Sequence, residues 1–480
     1  MSLSADNAEW LIHQSYTAHL NRNYSAQLEF ANKALQVEPS SHVASALAFL
    51  AMWEAGDLDK ATIKFFERAK TFPPKGFDIF CSILAHLRSG AAPTHLQPLV
   101  NSWLNIVKYD ARADDEAYRQ GAEVKILRRG SLAEISSVKG EMIQERFGLV
   151  ENVRSQSKHM MNRWSYPSFH LVEDVMVMPK EWYVFNETNI YIDETVSWPD
   201  KWSELSLFHA KKKPSPSFVA SSGNKILLNV PEHKNEIDEP CILLGSEPNF
   251  YFWLAENLAR LATIEGIYDI RAHKMLVDEN VSEMHLDALN HLGIPPENIV
   301  RCSWKAIYSC KQLVVPGVLL SVDVLHKKGV MWLRDRFRPK SRDTSYPSKI
   351  FISRSKAHRR PFINEPEIEE YLKKNGYVTI VPDSLSFMDQ IEIVQNADFI
   401  VSPYGTCLTV LLFAPETCCI FELIDEMSVP IHRFKENLAN QIGQKFRCIY
   451  VDAHRDMTSE SVSEGGFTIS PESLRAQMNA

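Results

Sequence analysis

Apolar positions in this chain change rhythm along its length, and each change marks a segment. From about residue 7 to 100 they recur at helical spacing, which predicts helix after helix. Residues 101–165 mix patterns and include a charged stretch, 137–151, that predicts an exposed helix. From Leu171 the texture becomes short and alternating: Val175-Met-Val-Met178, Trp182-Tyr-Val-Phe185 and Ile190-Tyr-Ile192 read as strands divided by turns. The basic, Ser- and Pro-rich run 211–224 reads as a surface loop. Strands at 241–244, 274–277, 299–300 and 312–315 then alternate with helices from Phe250, at 282–292 and at 330–337.

The clearest alternation follows Tyr346-Pro-Ser348, which reads as a hinge. Lys349-Ile-Phe-Ile-Ser-Arg354-Ser-Lys356 is an apolar strand that delivers two cations just past its end. Asn364-Glu365-Pro366-Glu367 starts a helix with an N-cap residue and first-turn carboxylates, and Gly376 stops it. Strands at 377–381, 398–402 and 419–423, a helix at 387–396, and the turn Pro403-Tyr404-Gly405-Thr406 opening a helix through Leu412 complete the block. Such alternation predicts βαβ units and a parallel sheet. Ligands of these sheets bind beyond the carboxyl ends of the strands, where Arg354, Tyr404 and Glu422 fall.

Composition narrows the function classes. The net charge of −8 does not favour nucleic acid as a partner, although Lys211-Lys-Lys213 and the cluster 354–360 remain able to attract phosphate. The eight cysteines form no CxxC or metal-ligand spacing, so a reduced, cytoplasmic chain is the economical expectation. No secretory signal is visible, and no apolar run reaches the roughly 18 residues a membrane span needs, so any work at a membrane is expected to be peripheral. Asp-x-Asp at a strand end, a Walker loop, Gly-x-Ser-x-Gly and His-Glu-x-x-His are all absent, and no metal or cofactor is expected.

Two resemblances add to this reading. Tyr24 to Pro39 lies over Leu58 to Pro74, with Ala34 matching Ala69 and Pro39 matching Pro74, an offset of 35. That is near the period of tetratricopeptide helical hairpins. The region resembles such hairpins over about two units, a plain helical bundle being the alternative; either implies docking rather than chemistry. The second is carried by Ile352-Ser-Arg354-Ser, Asn364-Glu365, Gln390, Ala397-Asp398, Tyr404-Gly405-Thr406-Cys407-Leu408-Thr409 and Phe413-Ala-Pro415, with Asn249-Phe-Tyr-Phe-Trp253-Leu-Ala-Glu256-Asn-Leu-Ala-Arg260 upstream. This ordered set, over roughly residues 170–450, resembles the family 61 glycosyltransferases.

That resemblance implies an α/β fold of the GT-B kind, two Rossmann-like units facing a cleft, preceded here by the tetratricopeptide-like helices. The segments would run 1–105 (helical), 106–165 (connector), 166–340 (acceptor unit), 341–455 (nucleotide-sugar unit) and 456–480 (tail). It implies an inverting, metal-independent transfer from a nucleotide sugar to a polysaccharide or lipid-linked glycan. Bacterial relatives are associated with capsular and exopolysaccharide assembly, so the helices would dock assembly partners at the inner face of a membrane. The family has His where this chain has Phe252, and His-Gly-Ala-Gly where it has Tyr404-Gly405-Thr406-Cys407. A catalytically silent scaffold on the same fold is therefore the alternative.

Roles follow from the chemistry. A departing nucleoside diphosphate gains charge and needs cations or helix amides, so Arg354 is the first candidate, with Lys356 or Arg359 assisting. Gly405 lets amides approach phosphate, and Thr406 or Thr409 adds a hydroxyl. Tyr404 stacks on the base, sits over the sugar or packs; Glu422 accepts from ribose or is a charged strand end. The general base is Glu256, with Glu247 in reserve, and Asn249, Trp253 and Arg260 line the acceptor side. An ion pair between Glu256 and Arg260, four apart on a helix, is the plainer alternative.

Overall fold

The computed structural model describes residues 7–106, 122–129, 169–191, 218–321, 324–355, 361–425, 434–454 and 466–479, apart from 76, 180, 223, 247, 248, 340, 342 and 344. The expected helix at 137–151 lies outside the described residues. So do Glu247, Lys356 and Arg359.

The helical spacing of the first hundred residues forms six helices: Ala8–Leu20, Tyr24–Val37, His42–Glu54, Leu58–Ala69, Phe77–Arg88 and Pro93–Ile106. Asn7, Asn23 and Ser41 cap the first three by accepting first-turn amides. Each helix packs on the next. Close approach depends on small residues, since Ala31, Ala34, Ala44 and Ala61 are fully buried at these contacts. Buried polar links fix the pairing: Gln27 Nε2 donates to Leu47 O (2.9 Å), and His42 Nδ1 lies 2.8 Å from the buried Asp78 carboxylate. The two stretches matched in sequence are the second and fourth helices.

These helices belong to a compact unit made of Met1–Glu134, Asp174–Ile237 and Ser303–Cys310. Its strands Tyr183–Phe185, Asn189–Tyr191, Ala122–Arg129, Lys225–Pro231 and Phe218–Ser222 are neighbours in that order. Val219, Ala220 and Leu227 pack into one core with Phe80, Leu84, Leu96 and Trp103 of the helices. Two strands correct the sequence reading. Phe218–Ser222 stands where Ser and Pro content suggested only loop, because Lys225–Pro231 supplies an antiparallel partner. Ala122–Arg129, inside the supposed connector, pairs with that same distant strand, so nothing local announces it.

The second compact unit comprises Ile135–Glu173, Asp238–Cys302 and Lys311–Ala480. It contains two parallel arrays. In the first, Cys241–Leu243, Lys274–Asp278, Ile299–Cys302 and the end of Ile307–Pro316 take the order three, two, one, four. In the second, Lys349–Ile352, Val378–Ile380, Phe399–Pro403, Cys419–Ile424 and Lys445–Tyr450 take the order two, one, three, four, five, every pair parallel. Adjacent residues that point to opposite faces, such as Ile242 and Leu243, Met275 and Leu276, Ile350 and Phe351, and Ile400 and Val401, are all without exposed surface, which is why these strands read as nearly unbroken apolar runs. Between the arrays Phe337, Phe387 and Phe413 meet edge to face, with Phe250 against Phe387.

Arg334, in the helix Lys327–Phe337, is buried, and its guanidinium donates to the carbonyls of Leu412 (2.6 Å) and Ala414 (3.0 Å) and to Glu416. Gln444 Nε2 donates to Leu411 O and Ala414 O. The last carbonyls of the helix Thr406–Phe413 are thereby satisfied. No helix among the described residues is long and apolar enough to cross a membrane.

His326 caps Lys327–Phe337 by accepting from Lys328 N (3.0 Å). Burial, assisted by Lys328, lowers its pKa to about 4 from 6.5. The unfolded chain therefore binds this proton more readily than the folded one between those values. Stability contributed by neutral His326 is complete above pH 6.5 and drains as pH falls toward 4. We expect about 2–3 kcal/mol less stability at pH 4 than at pH 7 from this group. Urea unfolding across that range should show a flatter profile in His326→Asn, which keeps a cap without the titration; an unchanged profile refutes the assignment.

Candidate functional site

In an open parallel sheet the ligand crevice forms where strand order reverses, past the carboxyl ends of the two strands flanking that point. In the five-stranded array that point lies between the first and third strands, Lys349–Ile352 and Phe399–Pro403. Ser353-Arg354 follow the former and Tyr404-Gly405 the latter. The two stretches singled out from sequence thus meet at one sheet position although fifty residues of chain separate them.

A buried carboxylate fixes the first strand's exit. Glu365 Oε1 accepts from Ser353 Oγ (2.6 Å) and from Arg354 N (2.8 Å), and Ser355 N donates to Ser353 Oγ (3.1 Å). On the opposite side, Tyr404 N donates to Leu423 O (2.8 Å). Gly405 has φ 179° and ψ 166°, extended backbone open to any residue, so its lack of a side chain matters for space rather than for conformation. A Cβ there would overlap Arg354 Nη1 and come 3.6 Å from Cys407 Sγ. The guanidinium therefore lies directly against Gly405, at the amino end of the helix Thr406–Phe413.

A second cation reaches the same turn. Lys435, from the helix Phe434–Ile442, donates to Glu422 Oε1 (2.7 Å) and stands 4.0 Å from the centre of the Tyr404 ring. Burial pushes the Cys407 thiol up, while the charges of Arg354 and Lys435 pull it the other way. Thr406 is half-buried; Thr409 is buried, and its Oγ1 has no hydrogen-bond partner among the described residues. The Arg354 guanidinium and the first-turn amides of the 3-10 helix Thr406–Phe413 form a setting suited to phosphate oxygens, while the Lys435 charge is matched by Glu422.

The upstream motif approaches the same helix. The turn Phe250–Phe252 packs on Thr406–Phe413, and the Tyr251 ring lies 4.1 Å from Phe434, next to Lys435. Asn249 accepts from Tyr251 N (3.0 Å) as the cap of that turn. Trp253 has no exposed surface and meets His285 edge to face at 4.4 Å, so it offers nothing to an acceptor. Residues Trp253–Asn257 form a π-helix and Leu258–Thr263 a 3-10 helix, in place of the α-helix that the four-residue spacing suggested. Wide π turns of this sort occur frequently at functional sites. Arg260 is likewise buried: its Nε donates to Glu256 O (2.9 Å), and burial lowers its pKa to about 10 against the opposing effect of Glu256. Glu256 is partly exposed.

Glu422 also differs from expectation. It is neither an open strand end nor an exposed acceptor but a buried carboxylate whose Oε1 accepts from the Lys435 ammonium. Lys435 itself escaped the sequence reading. Its helix was signalled only by the spacing of Phe434 and Leu438, both buried. Lys356 lies outside the described residues.

A family model described as Glycosyltransferase 61 matches residues 170–421. The span takes in Asn249, Glu256, Arg260, Arg354 and Tyr404 to Thr409, and stops short of Glu422 and Lys435. No curated protein matches the chain.

Proposed function

Because the chain belongs to the glycosyltransferase 61 family, we propose that its second unit moves a sugar, with inversion and without a metal ion, from a nucleotide-sugar donor to a glycan or lipid-linked acceptor. The observation that carries this reading is the seating of Arg354 over Gly405 at the sheet's reversal point. Arg354 forks across the diphosphate, Thr406 and the helix amides complete its cradle, and Lys435 holds Tyr404 through its ring and balances Glu422. Charge that builds on the leaving group is met by groups already in place.

In this reading the two parallel arrays act as the halves of a GT-B enzyme, the 241–316 array presenting the acceptor and the 349–450 array the donor. Glu256 takes the proton of the attacking hydroxyl, and buried Arg260 holds it in position. Asn249 shapes the turn before it rather than touching the acceptor. The six helices, read as tetratricopeptide-like hairpins, dock partners of polysaccharide assembly at the cytoplasmic face of a membrane.

Thermal unfolding with a panel of nucleoside diphosphates and nucleotide sugars tests the donor site. A ligand at 100 times its dissociation constant adds about 2.7 kcal/mol, a shift readily seen. Binding of none of them would leave a retained fold used as a scaffold. Once a donor is identified, Glu256→Gln should lower turnover about 100-fold with donor affinity unchanged. Unaltered turnover removes Glu256 as the base.

A further inference from the structure

Asn364 occupies the position of a helix N-cap, yet its side chain makes no cap bond to the helix Glu365–Lys374. The amide turns instead toward the end of the chain. Asn364 Nδ2 donates to Ile469 O (2.8 Å) and to Glu367 Oε2 (2.9 Å), and Asn364 Oδ1 accepts from Ile469 N (3.3 Å). The pair of bonds to Ile469 copies a strand pairing with a side chain.

Around that contact the chain end is sewn to the segment 361–364. Ile363 N donates to Phe467 O (2.9 Å) and Phe467 N to Pro361 O (3.1 Å), while the rings of Phe362 and Phe467 stack at 4.6 Å. A Cβ on Gly466 would come 2.9 Å from Ile363 Cδ1 and 3.0 Å from Pro361 O, so the approach is as close as glycine permits. Beyond it the helix Pro471–Asn479 buries Leu474 in a core shared with Ile368 and Leu372 of the Glu365–Lys374 helix. Its other attachment is separate: Gln477 accepts from Tyr450 N (2.8 Å) and donates to Tyr450 O (3.0 Å).

Asn364 and Glu365 therefore face opposite ways from adjacent positions. One holds the C-terminal segment; the other holds Ser353 and the amide of Arg354. We propose that the segment 466–469 is a positioning element of the diphosphate site, with Asn364 as the residue that transmits its hold through Glu365 to Arg354. The proposal rests on the donor reading above only for the identity of the ligand. Loss of the Asn364–Ile469 pair lets the helix start at Glu365 drift, the carboxylate leaves Ser353 and Arg354 N, and the guanidinium loses its place over Gly405.

The test compares Asn364→Ala with Gln477→Ala, which loosens the helix Pro471–Asn479, beyond that segment, where it is tied to Tyr450. Amide hydrogen exchange is followed at Arg354 and Ser355, and binding of inorganic pyrophosphate and of nucleoside diphosphates is measured by calorimetry. Asn364→Ala should speed exchange at these two amides and weaken diphosphate affinity, each by about tenfold, the equivalent of one net hydrogen bond. Gln477→Ala should leave both near the wild type. Unchanged exchange at Arg354 and Ser355 in Asn364→Ala, or an equal change in Gln477→Ala, overturns the positioning role. If the wild-type chain takes up no diphosphate, the donor reading falls, while the exchange result still decides whether the C-terminal segment holds Arg354.

Discussion

Arg354→Ala should lower nucleotide-sugar turnover roughly 100- to 1,000-fold, the usual cost of deleting one preorganised group aimed at developing charge. The circular dichroism of the variant should match the wild type, because Glu365 holds this strand exit through Ser353 Oγ and the Arg354 amide rather than through the guanidinium. Arg354→Lys keeps the charge without the planar fork and should recover only part of the rate. Gly405→Ala gives an independent route to the same loss. Its backbone is extended, so alanine brings no conformational strain, and the added methyl acts only by pushing Arg354 Nη1 off the helix start. Turnover in Gly405→Ala close to wild type would show that the seat over Gly405 is dispensable.

Lys435→Ala should remove about 3–5 kcal/mol of stability, because it takes the counter-charge from a carboxylate buried in the sheet. Both side chains are almost wholly buried, at 9% and 2% exposure, so water cannot replace the lost partner. The double substitution Lys435→Met with Glu422→Gln removes both charges and should recover most of the loss. Urea denaturation reads both effects. A cost below about 1 kcal/mol in the single variant would place the pair in the class of exposed bridges that contribute little. In the double variant, donor affinity should still fall, since Tyr404 then lacks the ammonium lying 4.0 Å from its ring.

The parallel array was legible in the sequence because its strands are buried on both faces. Ile350, Phe351, Ile400, Val401 and Ile420 form apolar runs that only a sandwiched strand needs. Gly376 ends its helix at φ +83°, as its position after Lys374-Asn375 suggested. The order of the strands was not legible, because it depends on which edges pair and leaves no periodic trace. Short-range spacing misled in two places. Glu256 and Arg260 stand four apart but on a π turn followed by a 3-10 turn, where the α-helical face does not apply. Asn364 carries the residue type of a cap, and the partner it chose lies 105 residues later. Glu422 read as a ribose acceptor or a charged strand end for a related reason: its counter-charge comes from a helix beyond the strand, and pairing across a fold follows no fixed interval.

The treatment of the carbonyl end of Thr406–Phe413 bears on how the molecule can move. Arg334 and Gln444 grip that end from two different elements, and the aromatic rings of Phe337 and Phe387 wedge its last residue. A segment clamped so firmly at the rear cannot tilt or slide when a ligand arrives at its front. In the proposed reading, any closing motion that accompanies turnover is then made by other elements, and this helix stays fixed beneath the donor like the anvil of the reaction.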